Sequence, residues 1–189
     1  MPTPVAHGLA GAILYTRPPW SQDPAREWSG LALAAFAAVA ADLDFFPGLL
    51  LGDPGRFHHG VSHSLGATLL FGLTMALIAP STLAGTYPRR VVLWASLYGS
   101  HLLLDFFAVD TTPPYGEPLF WPLSGQFFLS PWTPFPDVKH GRGWEAFLNW
   151  ANARAVAVEA GLFLPLWLGL LWARGGLRKA LPMGSNSER

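Results

Sequence analysis

The chain contains no cysteine, which excludes disulfides, thiolate metal sites and cysteine nucleophiles together. Charge is scarce as well: Asp, Glu, Lys and Arg make up 13% of 189 residues, about half the share of an ordinary soluble domain. Twelve basic residues balance twelve acidic ones, and no basic run exceeds a pair. The electrostatic footprint of a nucleic-acid binder is therefore missing, and no nucleic-acid partner is expected. No Gly-x-Ser-x-Gly elbow occurs, which disfavours serine-nucleophile chemistry. The first residues lack the basic flank of a cleaved signal peptide, so the first helix is expected to be retained.

What the chain has instead is apolar length. Four stretches, near 29–51, 64–83, 91–109 and 155–172, each approach the roughly 20 residues that cross a hydrocarbon core. A shorter stretch, 5–16, follows Thr3-Pro4, a good N-cap and first helical residue. The expected fold is an all-α integral membrane protein of about five helices, with four full spans plus a short N-terminal helix. One membrane domain is expected over 1–175 and a polar, disordered tail over 176–189. Between 110 and 154 lie seven of the 18 prolines and four of the nine tryptophans. That density excludes a long helix and suits an aromatic loop or lid at the bilayer interface. With all five helices crossing and the N-terminus outside, eight Lys and Arg fall inside and four outside. This agrees with the positive-inside rule and puts the 110–154 loop on the outer side.

Ionisable residues sit at the edges of these apolar stretches. They read Asp42-Leu43-Asp44, His58-His59-Gly60-Val61-Ser62-His63 and His101-Leu102-Leu103-Leu104-Asp105. Imidazole and carboxylate are the ligand types that hold Zn²⁺ and related ions, and such groups are expensive in lipid unless they pair or bind a cation. His101 and Asp105 are four apart and share one helix face. Asp42 and Asp44 are two apart and point to different sides of a helix. One is expected to be a ligand; the other could bind a second ion, orient a histidine or accept a proton from water. His59 and His63 have the helical i, i+4 spacing, while His58 reaches the same ion if it precedes the helix. Gly60 disfavours a helix running through the pair, which favours His58 with His63. In the topology above His7 falls at the same outer depth as the rest. Glu159 is a candidate proton partner or remote ligand, and His140 is expected to be solvated.

Thr3-Pro4-Val5-Ala6-His7, Asp42-Leu43-Asp44, His58 to Ser64, Ser100 to Asp105 and Trp121-Pro122-Leu123-Ser124 together resemble the YdjM-like family of bacterial inner-membrane proteins. The resemblance implies an inner-membrane location and metal-dependent hydrolysis. That family typically has His-Arg-Gly-x-Thr-His-Ser where this chain reads His-His-Gly-Val-Ser-His-Ser. By that match His58 and His63 are the family histidines and His59 stands in place of an arginine. The order of motifs is also similar to zinc-dependent phospholipase C and the P1-type nucleases. That likeness implies a metal shell of His7, Asp44, His63, His101 and Asp105.

The expected site is thus His7, Asp42, Asp44, His58, His63, His101 and Asp105 around one or two Zn²⁺ or other divalent ions, with Asp42 or Asp44 as base. A metal with an open position lowers the pKa of water toward about 7 and polarises a phosphoryl oxygen. The expected activity is hydrolysis of a phosphoester, with a membrane lipid as substrate, near the outer leaflet. Two other readings remain open. One is a non-catalytic membrane interaction protein with a structural metal, its protein partner unspecified. The other is a metal or proton transporter, which the shared depth of the ligands disfavours.

Overall fold

The computed structural model describes residues 1–17, 27–53, 55–79, 85–111, 113–139 and 148–174. The expectations for His140 and for the 176–189 tail fall outside the described residues. Within them the chain is all-helical, with no strands and two isolated bridges, Ala108 with Phe135 and Glu117 with Phe128. Helix α1 is Pro4–Thr16, with Thr3 as an extended N-cap and Pro at the start. Helix α2, Trp28–Val39, passes through a 3₁₀ turn at Ala40–Asp44 into α3, Phe45–Leu50. Pro47 has no N–H for the Leu43 carbonyl, and its ring crowds that oxygen. The backbone tightens just before it, at the segment bearing Asp42 and Asp44. Helices α4 (Leu65–Ile78), α5 (Tyr87–Phe106) and α6 (Trp150–Ala173) complete the bundle.

Two of these helical segments are long and apolar enough to span a membrane: Trp28–Leu50, of 23 residues, and Trp150–Ala173, of 24. Only 33% and 17% of their apolar windows are buried within the protein, whereas a soluble core helix would be mostly covered. Phe36, Leu49, Leu162 and Leu166 face outward on them, as lipid contact requires. The expectation of four full spans is corrected here to two clear candidates. The described α4 has 14 residues, or about 21 Å at 1.5 Å per residue, against a core of about 30 Å. Helix α5 has 20 residues, but Arg89, Arg90, Ser96, Ser100, His101 and Asp105 lower its hydropathy.

Small residues set the helices close together. A Cβ on Gly11 would meet the Ala34 carbonyl oxygen at 2.6 Å and the Ala38 Cβ at 2.8 Å, so α1 and α2 approach almost backbone to backbone. Gly72 does the same for α4 against α5, where a Cβ would lie 2.8 Å from the Ala95 Cβ. Tyr15, Leu31, Leu93, Trp94 and Leu97 fill the core between these contacts. At the other end of α1, Thr3 donates through its N–H (3.0 Å) and its hydroxyl to Glu159 of α6. Glu159 thereby satisfies the start of α1; its carboxylate is engaged there and not with the histidines. The described loop residues 107–111 and 113–139 tie to the end of α5 through Ser130 N–H to the Phe106 carbonyl and to the start of α4 through Leu65 N–H to the Leu119 carbonyl.

Candidate metal centre

Helical phase brings His101 and Asp105 to one face of α5, with His101 Nε2 3.1 Å from Asp105 Oδ2. The Ala38 carbonyl, on α2, accepts from His101 Nδ1 at 2.8 Å. That bond assigns the proton to Nδ1 and leaves the Nε2 lone pair facing the cluster. His63 is arranged in the same way. Asp44 Oδ2 lies 3.1 Å from His63 Nδ1, and His63 Nε2 points inward to within 3.2 Å of His101 Nε2. Neither ring is exposed.

The turn bearing His63 is fixed from three sides. Ser62 donates to Asp44 Oδ2 at 2.6 Å, Tyr98 of α5 donates to the Ser62 carbonyl at 2.8 Å, and Ser64 caps α4 by accepting from Ala67 N–H at 3.1 Å. Helix α4 starts at Leu65, so His59 and His63 lie in turns before it and share no helix face. Both members of the histidine pair nevertheless reach the cluster. His58 Nδ1 lies 3.1 Å from Asp44 Oδ1, and its ring stacks on Phe45 at 4.0 Å. His59 adopts φ 56°, the left-handed region. This turns its Nε2 to within 3.9 Å of Asp105 Oδ2, with Asp110 Oδ2 at 3.4 Å from its Nδ1.

Asp42 and Asp44 have separate surroundings. Asp42 Oδ1 is 3.4 Å from His101 Nε2 and 4.0 Å from His63 Nε2. Asp44 spends both oxygens on His58, His63 and Ser62. His7 stacks on His101 with centroids 3.8 Å apart and sets its Nε2 3.3 Å from Asp105 Oδ1. Asp105 therefore offers one oxygen to His7 and the other to His63 and His101.

Among the described residues two sets could hold a metal ion: Asp42, His63, His101 and Asp105, and His58, His59 and His63. The first set fits a tetrahedral ion closely. Donors about 2.0–2.1 Å from Zn²⁺ lie about 3.3 Å apart. Four of the observed separations are 3.1 Å (His101–Asp105), 3.2 Å (His63–His101), 3.4 Å (Asp42–His101) and 3.5 Å (His63–Asp105), and a fifth, Asp42–His63, is wider at 4.0 Å. Both carboxylate oxygens of Asp42 and of Asp105 are buried without a hydrogen bond, as are both nitrogens of His7. Buried carboxylates left in that state are costly, and a cation removes the cost.

Protons compete for the same atoms. Burial opposes a charged His63, but the carboxylates of Asp105 and Asp44 beside it outweigh that and bring its pKa up to about 9. For His58 burial dominates and pulls the value down to about 4.

Sequence reasoning passed over Ser62, Asp110 and Glu117. Ser62 and Asp110 support His63 and His59 from outside the cluster. Glu117 is wholly buried in the loop, and neither carboxylate oxygen has a hydrogen-bond partner. Burial first, and the charge of Asp105 second, push its carboxyl well above the usual range. A nearby acid was a weak signal in a loop whose path the sequence does not fix.

The model of the YdjM inner membrane protein family matches residues 1–177. The chain belongs to that family. The match covers every helix described and every histidine and aspartate of the cluster. No curated protein matches the chain, and no solved structure does. The expected distant likeness to zinc-dependent phospholipase C and P1-type nucleases is not shown by these comparisons. Family and spanning helices together make this YdjM member an inner-membrane protein with a His/Asp cluster able to bind a metal.

Proposed function

We propose that this YdjM-family member is a multi-pass, metal-dependent hydrolase that cleaves a lipid phosphoester near the outer leaflet. The observation that carries the reading is the convergence of His63 Nε2 and His101 Nε2 to 3.2 Å, beside two buried carboxylates without hydrogen bonds. Asp42, His63, His101 and Asp105 would hold the ion, zinc by donor type and spacing. When bound, it supplies a Lewis acid for a phosphoryl oxygen and makes water acidic enough to attack near neutral pH.

The chain's own residues supply the rest. Asp44 and the Ala38 carbonyl fix the two histidine tautomers. Asp42 is in reach of the cluster and has no hydrogen bond on either oxygen, so it takes the proton of the attacking water. A cavity of about 450 Å³ opens beside the cluster, lined by Met1, Phe45, Arg56, His58, His59 and Asp110 among others. Arg56 offers that cavity a cationic fork for a phosphate. An apolar cavity of about 290 Å³ between the loop and α6, lined by Phe107, Trp132, Phe135 and Leu162, suits an acyl chain. With all five helices crossing, as the multi-pass reading requires, eight inner against four outer basic residues support the outward orientation.

The test is turnover of phospholipids, lipid phosphates and acyl esters by detergent-purified protein, with and without Zn²⁺ or Mn²⁺. Metal-dependent release of a phosphorylated product that Asp42→Asn abolishes is expected. Full metal content without turnover of any of the three classes would overturn the hydrolase reading in favour of a structural metal.

A further inference from the structure

The loop after α5 builds two cavities from the same two stretches of chain. Val109 N–H donates to the Phe135 carbonyl at 3.1 Å, and the bridge between Ala108 and Phe135 sets the stretches side by side. Phe107 and Phe135 line the cavity of about 290 Å³ against α6, while Asp110 and Asp137 line the cavity of about 450 Å³ beside the histidines. From Phe107 to Asp110 the chain reaches at most about 11 Å, so one amphiphile is long enough to occupy both. The apolar cavity is preformed. Phe107 packs edge-on against Trp132 with centroids 6.0 Å apart, and Phe135 stacks on Phe163 of α6, also at 6.0 Å. Ser130 pins Trp132 twice, accepting from its N–H at 3.0 Å and donating to its carbonyl at 2.7 Å.

Charge and position decide what fills it. Among its described lining residues only Glu159 is ionisable, and both oxygens of that carboxylate accept from Thr3. A charged occupant finds no counter-charge there, whereas each buried methylene is favoured by about fourfold in affinity. Val158, Leu162 and Trp132 in the lining are at least half exposed. Two of them lie on a helix long and apolar enough to span a membrane, so the cavity opens sideways onto acyl chains. Its inner wall adjoins the cluster: Phe107 follows Asp105 by two residues, and Thr3, bonded to Glu159, accepts the His7 N–H at 3.3 Å. We propose that the substrate is held by one acyl chain in this cavity and that Leu162 sets the chain length accepted. This rests on the hydrolase reading above and adds to it the residue that selects among lipids. At about 30 Å³ per group, the share of a water molecule, about 290 Å³ takes about ten methylenes.

The experiment reads binding and turnover separately. Alkylphosphocholines of six to sixteen carbons are titrated into the full chain in nanodiscs without metal, with empty nanodiscs as the reference. Affinity should rise about fourfold per methylene up to about ten carbons and then level off. Leu162→Trp fills the cavity and should weaken ten-carbon binding at least tenfold while leaving six-carbon binding within about twofold. Leu166→Trp, exposed on the same helix but outside the lining, should bind as the wild type does. Affinity that climbs to sixteen carbons alike in wild type and Leu162→Trp is bilayer partition and would overturn the proposal. The same chains are then offered to zinc-loaded protein. Turnover with one chain-length profile in both proteins would also overturn it, leaving the hydrolase reading in place. The expected break in binding without turnover of any chain would remove the hydrolase reading and leave the acyl cavity standing. Circular dichroism checks that Leu162→Trp folds; should it fail, Val158→Phe narrows the same cavity and should shift the break to shorter chains, while an unchanged break would count against the proposal.

Discussion

His63 Nε2 and His101 Nε2 stand 3.2 Å apart with their Nδ1 atoms both committed elsewhere, to Asp44 and to the Ala38 carbonyl. Two imidazole lone pairs do not approach this closely without something electropositive between them. A shared proton or a metal ion can fill that position, and the two acids beside them favour the ion.

Removing either histidine, or Asp105, should therefore empty the first position. His63→Ala, His101→Ala and Asp105→Ala are each expected to lose at least one Zn²⁺ per chain by mass spectrometry. Wild-type occupancy in all three would show that the cluster is held by protons alone.

Asp44 should behave differently, because its oxygens reach His58, His63 and Ser62 and leave none for an ion. Asp44→Asn should weaken zinc affinity about 10–100-fold while stoichiometry at saturating zinc stays unchanged. Competition with a fluorescent chelator separates the two effects. A drop in stoichiometry would make Asp44 a ligand.

Parts of this site are legible in the sequence and parts are not, for physical reasons. Helical phase alone puts His101 and Asp105 together, and the two-residue offset of Asp42 and Asp44 does give them separate surroundings. What the sequence does not disclose is the backbone between elements. The left-handed conformation of His59 turns it inward, so both members of the pair face the cluster. Glu117 is buried in a loop held by the Asp110–Gly116 and Leu65–Leu119 bonds, which join distant segments and leave no local periodicity. Only two of the four expected spans are clear candidates, because α4 is shorter than its apolar stretch and α5 carries charged and polar residues that lower its hydropathy.

Zinc binding should strengthen as pH rises. With its pKa near 9 in the metal-free protein, His63 carries a proton at pH 7 that an incoming ion must displace. Raising the pH toward 9 removes that proton beforehand, so apparent affinity climbs by up to about tenfold per pH unit if one proton is released. Below pH 7 it goes on falling, because His63 stays protonated throughout that range. Titrations at several pH values in weakly chelating buffer measure the slope; a flat profile from pH 6 to 9 would contradict it.

Gly11→Ala should disturb packing and metal together. Its new methyl would meet the Ala34 carbonyl at 2.6 Å and the Ala38 Cβ at 2.8 Å, a clash costing about 1–3 kcal/mol. Relief requires α1 and α2 to separate at the turn whose Ala38 carbonyl accepts from His101. A lower thermal midpoint in detergent and weaker zinc affinity are expected in the same variant. Gly125→Ala, with no atom within 4 Å of the added Cβ, should change neither.

The orientation is open to a direct test because the chain has no cysteine of its own. Leu123 is 94% exposed in the loop, and with the loop outside, Leu123→Cys should react with a membrane-impermeant maleimide in intact cells. Ser185→Cys, beyond the last span, should react only after the cells are opened. The basic residues argue for this result, since four of them, Arg174, Arg178, Lys179 and Arg189, follow α6 while three, Lys139, Arg142 and Arg154, lie on its loop side. The functional consequence is substantial: the cavity beside the histidines would then face outer-leaflet headgroups. Labelling of the tail cysteine alone in intact cells would invert the protein and move its substrate to the cytoplasmic leaflet.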